Sequence, residues 1–148
     1  MVATWLVAWV FSLVFFQCAP GPKPIDYGQD KCEFCRMSIV DQRYGCELVT
    51  AKSKALKFDA TECMINYLDD NVNDESGIRL ILTNTLDDPG KLVEVQNCIY
   101  LKSKNMPSPM GAFINPFLNY AQAKNAQDQN TGALYDWEAL RAELAGSR

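Results

Sequence analysis

Cys32-Glu33-Phe34-Cys35-Arg36-Met37 puts three sulfur side chains within six residues, and the chain is organised around this run. Thiolate and thioether are soft donors that favour Cu(I), and zinc sites rarely recruit methionine, so Met37 turns an ambiguous C-x-x-C into a copper-type sequence. A tight turn brings Cys32 and Cys35 together. If the chain then extends, Cys35 and Met37, two residues apart, point to one side. The stretch is a candidate metal-loading site.

Composition bounds the rest. The chain has 148 residues, 48% apolar and 22% charged, which is enough for one globular core or two small ones. Its net charge of −4 and lack of a basic run exclude nucleic acid as a partner. It has no histidine, so the commonest general base and the commonest nitrogen ligand are both missing. A metal site here must be built from sulfur or oxygen. The six cysteines (Cys18, Cys32, Cys35, Cys46, Cys63, Cys98) are too sparse and irregular for a cystine-rich module.

Residues 1–17 are uncharged and strongly apolar, of signal-peptide length and short for a membrane span. They end at Gln17-Cys18-Ala19-Pro20, which resembles a bacterial lipoprotein cleavage site with Cys18 as the lipidated residue. Residues 18–30, rich in Pro and Gly, are expected to be the tether. Within 31–148 the patterning predicts an α+β fold. Residues 38–52 should hold two short strands or one bulged strand, paired in a hairpin with Leu56-Lys57-Phe58. Asp59 is expected to cap a helix running to about Asn71, its apolar face holding Cys63, Met64, Tyr67 and Leu68. Strands are expected at 78–83, 92–95 and 99–103, with a turn at Asp87-Asp88-Pro89-Gly90.

A proline-framed loop, Asn105-Met106-Pro107-Ser108-Pro109-Met110-Gly111, introduces a helix over about 117–128, a last strand at 132–136 and a closing helix over 137–144. The offsets repeat, giving two duplicated strand-strand-helix-strand units at about 31–95 and 96–148. Cys32, Cys35, Met37 and Met110 are the candidate metal ligands, Met110 by returning to the first sulfur motif. Cys46, Cys63 and Cys98 lie in apolar stretches and are expected to be core residues, as is Met106.

Cys32-x-x-Cys35-x-Met37, Phe58-Asp59 with Cys63-Met64 and Tyr67-Leu68, and Pro107-Ser108-Pro109-Met110-Gly111-Ala112 leading to Pro116-Phe117 together resemble the nitrous oxide reductase accessory protein family, NosL. The resemblance covers roughly residues 32–140, and the ordered co-occurrence of the three blocks is what makes it specific. It implies two small α+β units related to treble-clef and organomercurial-lyase-like domains. It also implies a periplasmic lipoprotein, anchored to a bacterial membrane, that catalyses nothing. Such a protein binds Cu(I) and passes it to the nitrous oxide reductase assembly machinery, an ABC-type transporter with its periplasmic component, or to another apo-cuproenzyme. Arg36 stands where members commonly have Gly, and Cys46 where small residues are usual.

Two other functions compete. In a thiol–disulfide oxidoreductase, Cys32 and Cys35 would follow a buried strand and open a helix, whereas Tyr27 to Lys31 is polar and the residues after Met37 turn strand-like. A structural zinc module would join Cys32 and Cys35 to two of Cys46, Cys63 and Cys98, leaving Met37 unexplained.

Overall fold

The structure, a computed structural model, describes residues 21–146. Cys18 and the expected signal segment lie outside the described residues. Among these, no helix is long and apolar enough to cross a membrane. The described residues form an α+β fold, with two small antiparallel sheets and three α-helices among them.

An isolated bridge between Lys31 and Ser38 closes a knuckle over residues 32–37. Its turn is held by Cys32 N–H donating to Met37 O at 2.8 Å and Arg36 N–H donating to Cys32 O at 3.0 Å. Arg36 sits at φ 67°, in the left-handed region where only glycine is free of a steric cost. The hairpin β1 (Cys46–Thr50) and β2 (Ala55–Phe58) follows, then α1 (Thr61–Asn71) and β3 (Ile78–Thr83). With β4 (Val93–Glu94) they form a sheet in the order β2-β1-β3-β4. The second sheet uses β5 (Ile99–Lys102), β6 (Ile114–Phe117) and β7 (Ala133–Tyr135) in the order β6-β5-β7. Helix α2 (Tyr120–Asn130) links β6 to β7, and α3 (Trp137–Ala145) closes the chain. In each sheet the first strand lies central, its hairpin partner on one side and a strand following a helix on the other.

One core serves both sheets. Phe58, Met64 and Leu68 from the first half share it with Tyr100, Ile114, Trp137 and Leu140 from the second. The halves are also tied by polar contacts. Tyr44 Oη donates to Asn115 Oδ1 at 2.8 Å, and the Asp87 carboxylate accepts the N–H groups of Leu118 and Asn119 at 2.9 and 2.8 Å. Asn119 itself caps α2, its side chain accepting from Ala121 and Gln122 N–H, so Asp87 adds a negative charge where the helix dipole favours one.

Four local expectations are corrected. Strand structure within 38–52 is confined to 46–50, because residues 39–45 turn to bury Ile39 and Tyr44. Asp59 does not cap α1: the cap position is Ala60 with no side-chain bond, and the Asp59 side chain is buried instead. Residues 114–117 form a strand, and the helix starts at Tyr120 rather than near Phe117. Pro116 hides that strand in the sequence, yet on an edge it needs no ladder N–H, and its carbonyl accepts from Leu86 N–H at 2.8 Å. The strand expected at 92–95 is Val93–Glu94 followed by a 3₁₀ turn.

The stretch expected to tether the domain is fastened to it from Lys23 on. Lys23 N–H donates to the buried Glu47 carboxylate at 2.9 Å, and Asn84 Nδ2 donates to Tyr27 Oη at 2.6 Å. Ile25 joins the core, crossing so close to Gly45 that a Cβ there would meet Ile25 Cδ1 at 2.9 Å.

Burial alone would raise the Asp87 carboxyl, but the Leu118 and Asn119 amides outweigh it and hold it below 3.8. A depressed folded-state pKa stabilises the fold above the unfolded value and is lost as pH falls through it. Asp87→Ala is expected to cost on the order of 1–2 kcal/mol at neutral pH by urea unfolding, and to cost progressively less below about pH 4. A constant difference across that range would show that the carboxylate charge plays no part.

Candidate metal centre

The knuckle and the start of α1 are brought together by β2. Glu33 N–H donates to Lys57 O at 2.8 Å, so the knuckle extends the hairpin edge, and Lys57 Nζ reaches back to Pro24 O at 2.8 Å and to the Asp30 carboxylate. Two residues after β2 ends, α1 begins, and its first turn carries Cys63 toward the knuckle. The sulfurs of Cys32, Cys35 and Cys63 all lie within 4.8 Å of one another. Three thiolates around one ion at ~2.3 Å would be ~4.0 Å apart, so the group needs only a slight contraction to close on a metal.

Burial divides the three. Cys32 and Cys63 are 0% and 1% exposed, and Cys35 is only partly covered, so the site opens past Cys35. Cys35 N–H lies 3.5 Å from Cys32 Sγ. The Cys63 thiol first, and then the backbone N–H groups of Cys35, Asp59 and Phe34, hold the Cys32 sulfur as a thiolate, its pKa drawn down to about 5 against the desolvation of its site. Cys63 is pushed far up, because it donates to Cys32 and is itself desolvated. Burial raises Cys35 as well. Cys32 is thus the sulfur that favours the thiolate form, among amide donors near a helix N-terminus, while Cys35 and Cys63 favour the thiol. Asp59 stands beside it with its carboxyl raised by burial and by the Cys32 charge, and its Oδ1 is buried without a hydrogen-bond partner.

Of the four ligands expected from the sequence, Cys32 and Cys35 are brought together. Met37 and Met110 are 52% and 38% exposed. The Met37 amide faces the Cys35 sulfur, and the Met110 amide faces the Glu62 carboxylate, one residue before Cys63. Cys63 was expected to be a core residue. It does belong to the core, but it also supplies the third sulfur. The signal that could have found it is positional: a cysteine in the first turn of a helix that directly follows a hairpin, behind a C-x-x-C knuckle.

Cys46 and Cys98 are core residues outside the cluster. Burial pushes each thiol up to about 12, and Cys46 Sγ is engaged with Tyr44 O at 3.1 Å and Thr83 Oγ1 at 3.3 Å. The C-x-x-C lies in a knuckle rather than at a helix start, which removes the thioredoxin-like arrangement.

Comparison with known proteins bears on the fold and the family. The crystal structure of the copper chaperone NosL from Shewanella denitrificans superposes with a TM-score of 0.67 at 19% identity, over 78% of this chain and 92% of that one, and so shares the fold. A comparison with curated proteins finds no match. The model of the NosL family matches residues 24–145, most of the chain, and the chain therefore belongs to the NosL family.

Proposed function

We propose that this chain is a copper metallochaperone that takes Cu(I) as cargo at Cys32, Cys35 and Cys63 and hands it on without catalysing a reaction. The observation that carries the reading is the three-sulfur cluster, two members buried and one facing solvent. A three-cysteine site in a chain with no histidine matches the softness of Cu(I). The likeness in fold to the copper chaperone of Shewanella denitrificans and membership of the NosL family support it.

Each residue has a part in uptake and release. Cys32 is preformed as a thiolate and makes the first bond, while Cys35 and Cys63 give up their protons as the ion binds. Met37 and Met110, neutral and exposed, supply thioethers that take over a coordination position when a recipient's ligand displaces a thiolate. Transfer then proceeds by exchange of one sulfur at a time.

The apolar N-terminal segment and the family resemblance motivate the setting. Cys18 lipidation holds the protein on the extracytoplasmic side of a bacterial membrane. Its recipient there is the nitrous oxide reductase assembly machinery, an ABC-type transporter with its periplasmic component, or another apo-cuproenzyme.

Anaerobic titration against a chromophoric Cu(I) chelator is expected to show one Cu(I) per chain; tighter retention of Zn(II) than of Cu(I) would overturn the copper reading in favour of a structural zinc site. In the same assay Cys35→Ser and Cys63→Ser should each lower affinity by more than ~100-fold. Met37→Ile and Met110→Ile should cost ~10–100-fold, the scale for losing a supporting interaction at a metal site. Cys98→Ala is the control: it opens a cavity and lowers thermal stability by on the order of 1 kcal/mol, with Cu(I) affinity unchanged. For location, Cys18→Ser should move the protein from the membrane fraction to the soluble one with metal binding intact, and persistence in the membrane would show an uncleaved N-terminal anchor.

A further inference from the structure

We infer that Glu62 is a positioning residue which, through Ser108, holds the 107–112 loop of the second half, and Met110 with it, against the helix turn that carries Cys63. The inference rests on the copper reading above and says which contact between the halves makes the site complete.

Glu62 is 4% exposed in the first turn of α1. Its Oε1 accepts the Ser108 hydroxyl at 2.6 Å, and the Met110 and Ala112 amides face the same carboxylate. Ser108, also buried, accepts Phe113 N–H at 2.9 Å through that hydroxyl, and its carbonyl accepts Gly111 N–H at 3.1 Å. One hydroxyl therefore closes the loop on itself and fastens it to the helix. The base of the loop is gripped separately. Asn115 Nδ2 donates to Met106 O at 3.0 Å and to Phe113 O at 3.1 Å, and Tyr44 Oη meets Pro107 O at 3.3 Å.

Three features set this contact apart from ordinary packing. Glu62 Oε1 takes the Ser108 hydroxyl, Oε2 is buried without a hydrogen-bond partner, and among the described residues no cation pairs with the carboxylate, an expensive way to bury an acid unless the loop it gathers is needed in place. The backbone bears strain on the loop's far side, Gly111 at φ 78° and Phe113 at φ 62°, the second a cost for a residue with a Cβ. Residue 110, which the loop presents, is a methionine with an exposed side chain. Its amide faces Glu62, and Cys63 is next in sequence to Glu62, so the backbone brings residue 110 to the helix turn that carries the third sulfur.

The test uses the full chain, with Ser108→Ala removing one hydroxyl and Ser108→Thr restoring it. Two readouts are taken: the rate of Cu(I) release to a chromophoric chelator, and the shift of the Met110 methyl signal, observed with [13C]methyl-methionine, when Cu(I) is added. Ser108→Ala is expected to release Cu(I) ~10-fold faster or more and to abolish the Met110 shift, with Ser108→Thr recovering both. Adding Met110→Ile to Ser108→Ala should cause no further loss, since both act through one contact. Glu62→Gln removes the carboxyl group while keeping the size of the side chain, should show the same changes at smaller size, and carries the test if Ser108→Ala does not fold. An unchanged Met110 shift in these variants, or losses that multiply in the double variant, overturns this inference while leaving copper binding standing. Failure of the unsubstituted chain to bind Cu(I) overturns the copper reading and this inference together.

Discussion

The Lys57 peptide and side chain are what the rest of the site depends on. A knuckle of six residues has too few contacts to fix its own orientation, and a sulfur cluster drawn from separate segments has no tolerance for one of them drifting. The Lys57 carbonyl takes the Glu33 N–H, and its ammonium takes the Asp30 carboxylate and the Pro24 carbonyl. One residue of β2 thus registers the knuckle, the N-terminal strap and the hairpin against each other. Because β2 runs straight into α1, the same register sets where Cys63 arrives. The ion pair is only part-buried and contributes little by itself. Its value is geometric, as three constraints converge on one residue.

Burial then decides the electrostatics. A lone thiolate in an apolar core would be heavily penalised, yet the Cys32 sulfur is charged, because three backbone amides and a neighbouring thiol point at it. Its partners absorb the consequence: Cys63 and Cys35 hold their protons, and the Asp59 carboxyl is raised by the charge beside it. One sulfur of the cluster favours the thiolate form, and the other two favour the thiol until an ion displaces their protons. A site with three preformed thiolates would repel itself when empty and would pay that repulsion at every release.

Much of the fold was legible in the sequence where local chemistry decides. The hairpin at 55–58, helix α1, the strand at 78–83 and the closing helix all follow from apolar periodicity and turn residues that agree with the tertiary structure. The misses share a cause, namely long-range contacts overriding a local rule. Asp59 has the composition of a cap, but the knuckle pulls it inward. Pro116 disqualifies a strand by rule, but the strand is an edge whose N–H is not needed. Pro20 to Gly28 has the composition of a linker, and its described part is fastened down by Ile25, Tyr27 and the buried Glu47, none of which local pattern can pair. The candidate site was half legible: C-x-x-C-x-M announces itself through spacing, whereas Cys63 sits on the buried face of a helix, where a ligand and a small core residue look alike.

The two halves therefore have different jobs in one core. The first supplies the thiols, through a knuckle and a helix start that lie on either side of the same hairpin. The second contributes no cysteine to the cluster; Cys98, its own, is buried elsewhere. It contributes instead a proline-stiffened loop whose base is bonded to Asn115 and Tyr44 and whose tip is bonded to Glu62. Pro107 and Pro109 reduce what the loop loses on ordering, so the few bonds at its ends suffice to keep it placed. Two of the thiols lie deep, while Cys35 and the thioethers of the knuckle and the loop stay at the surface. A cargo site needs this asymmetry, because the residues that hold an ion and the residues that let it go cannot be equally buried.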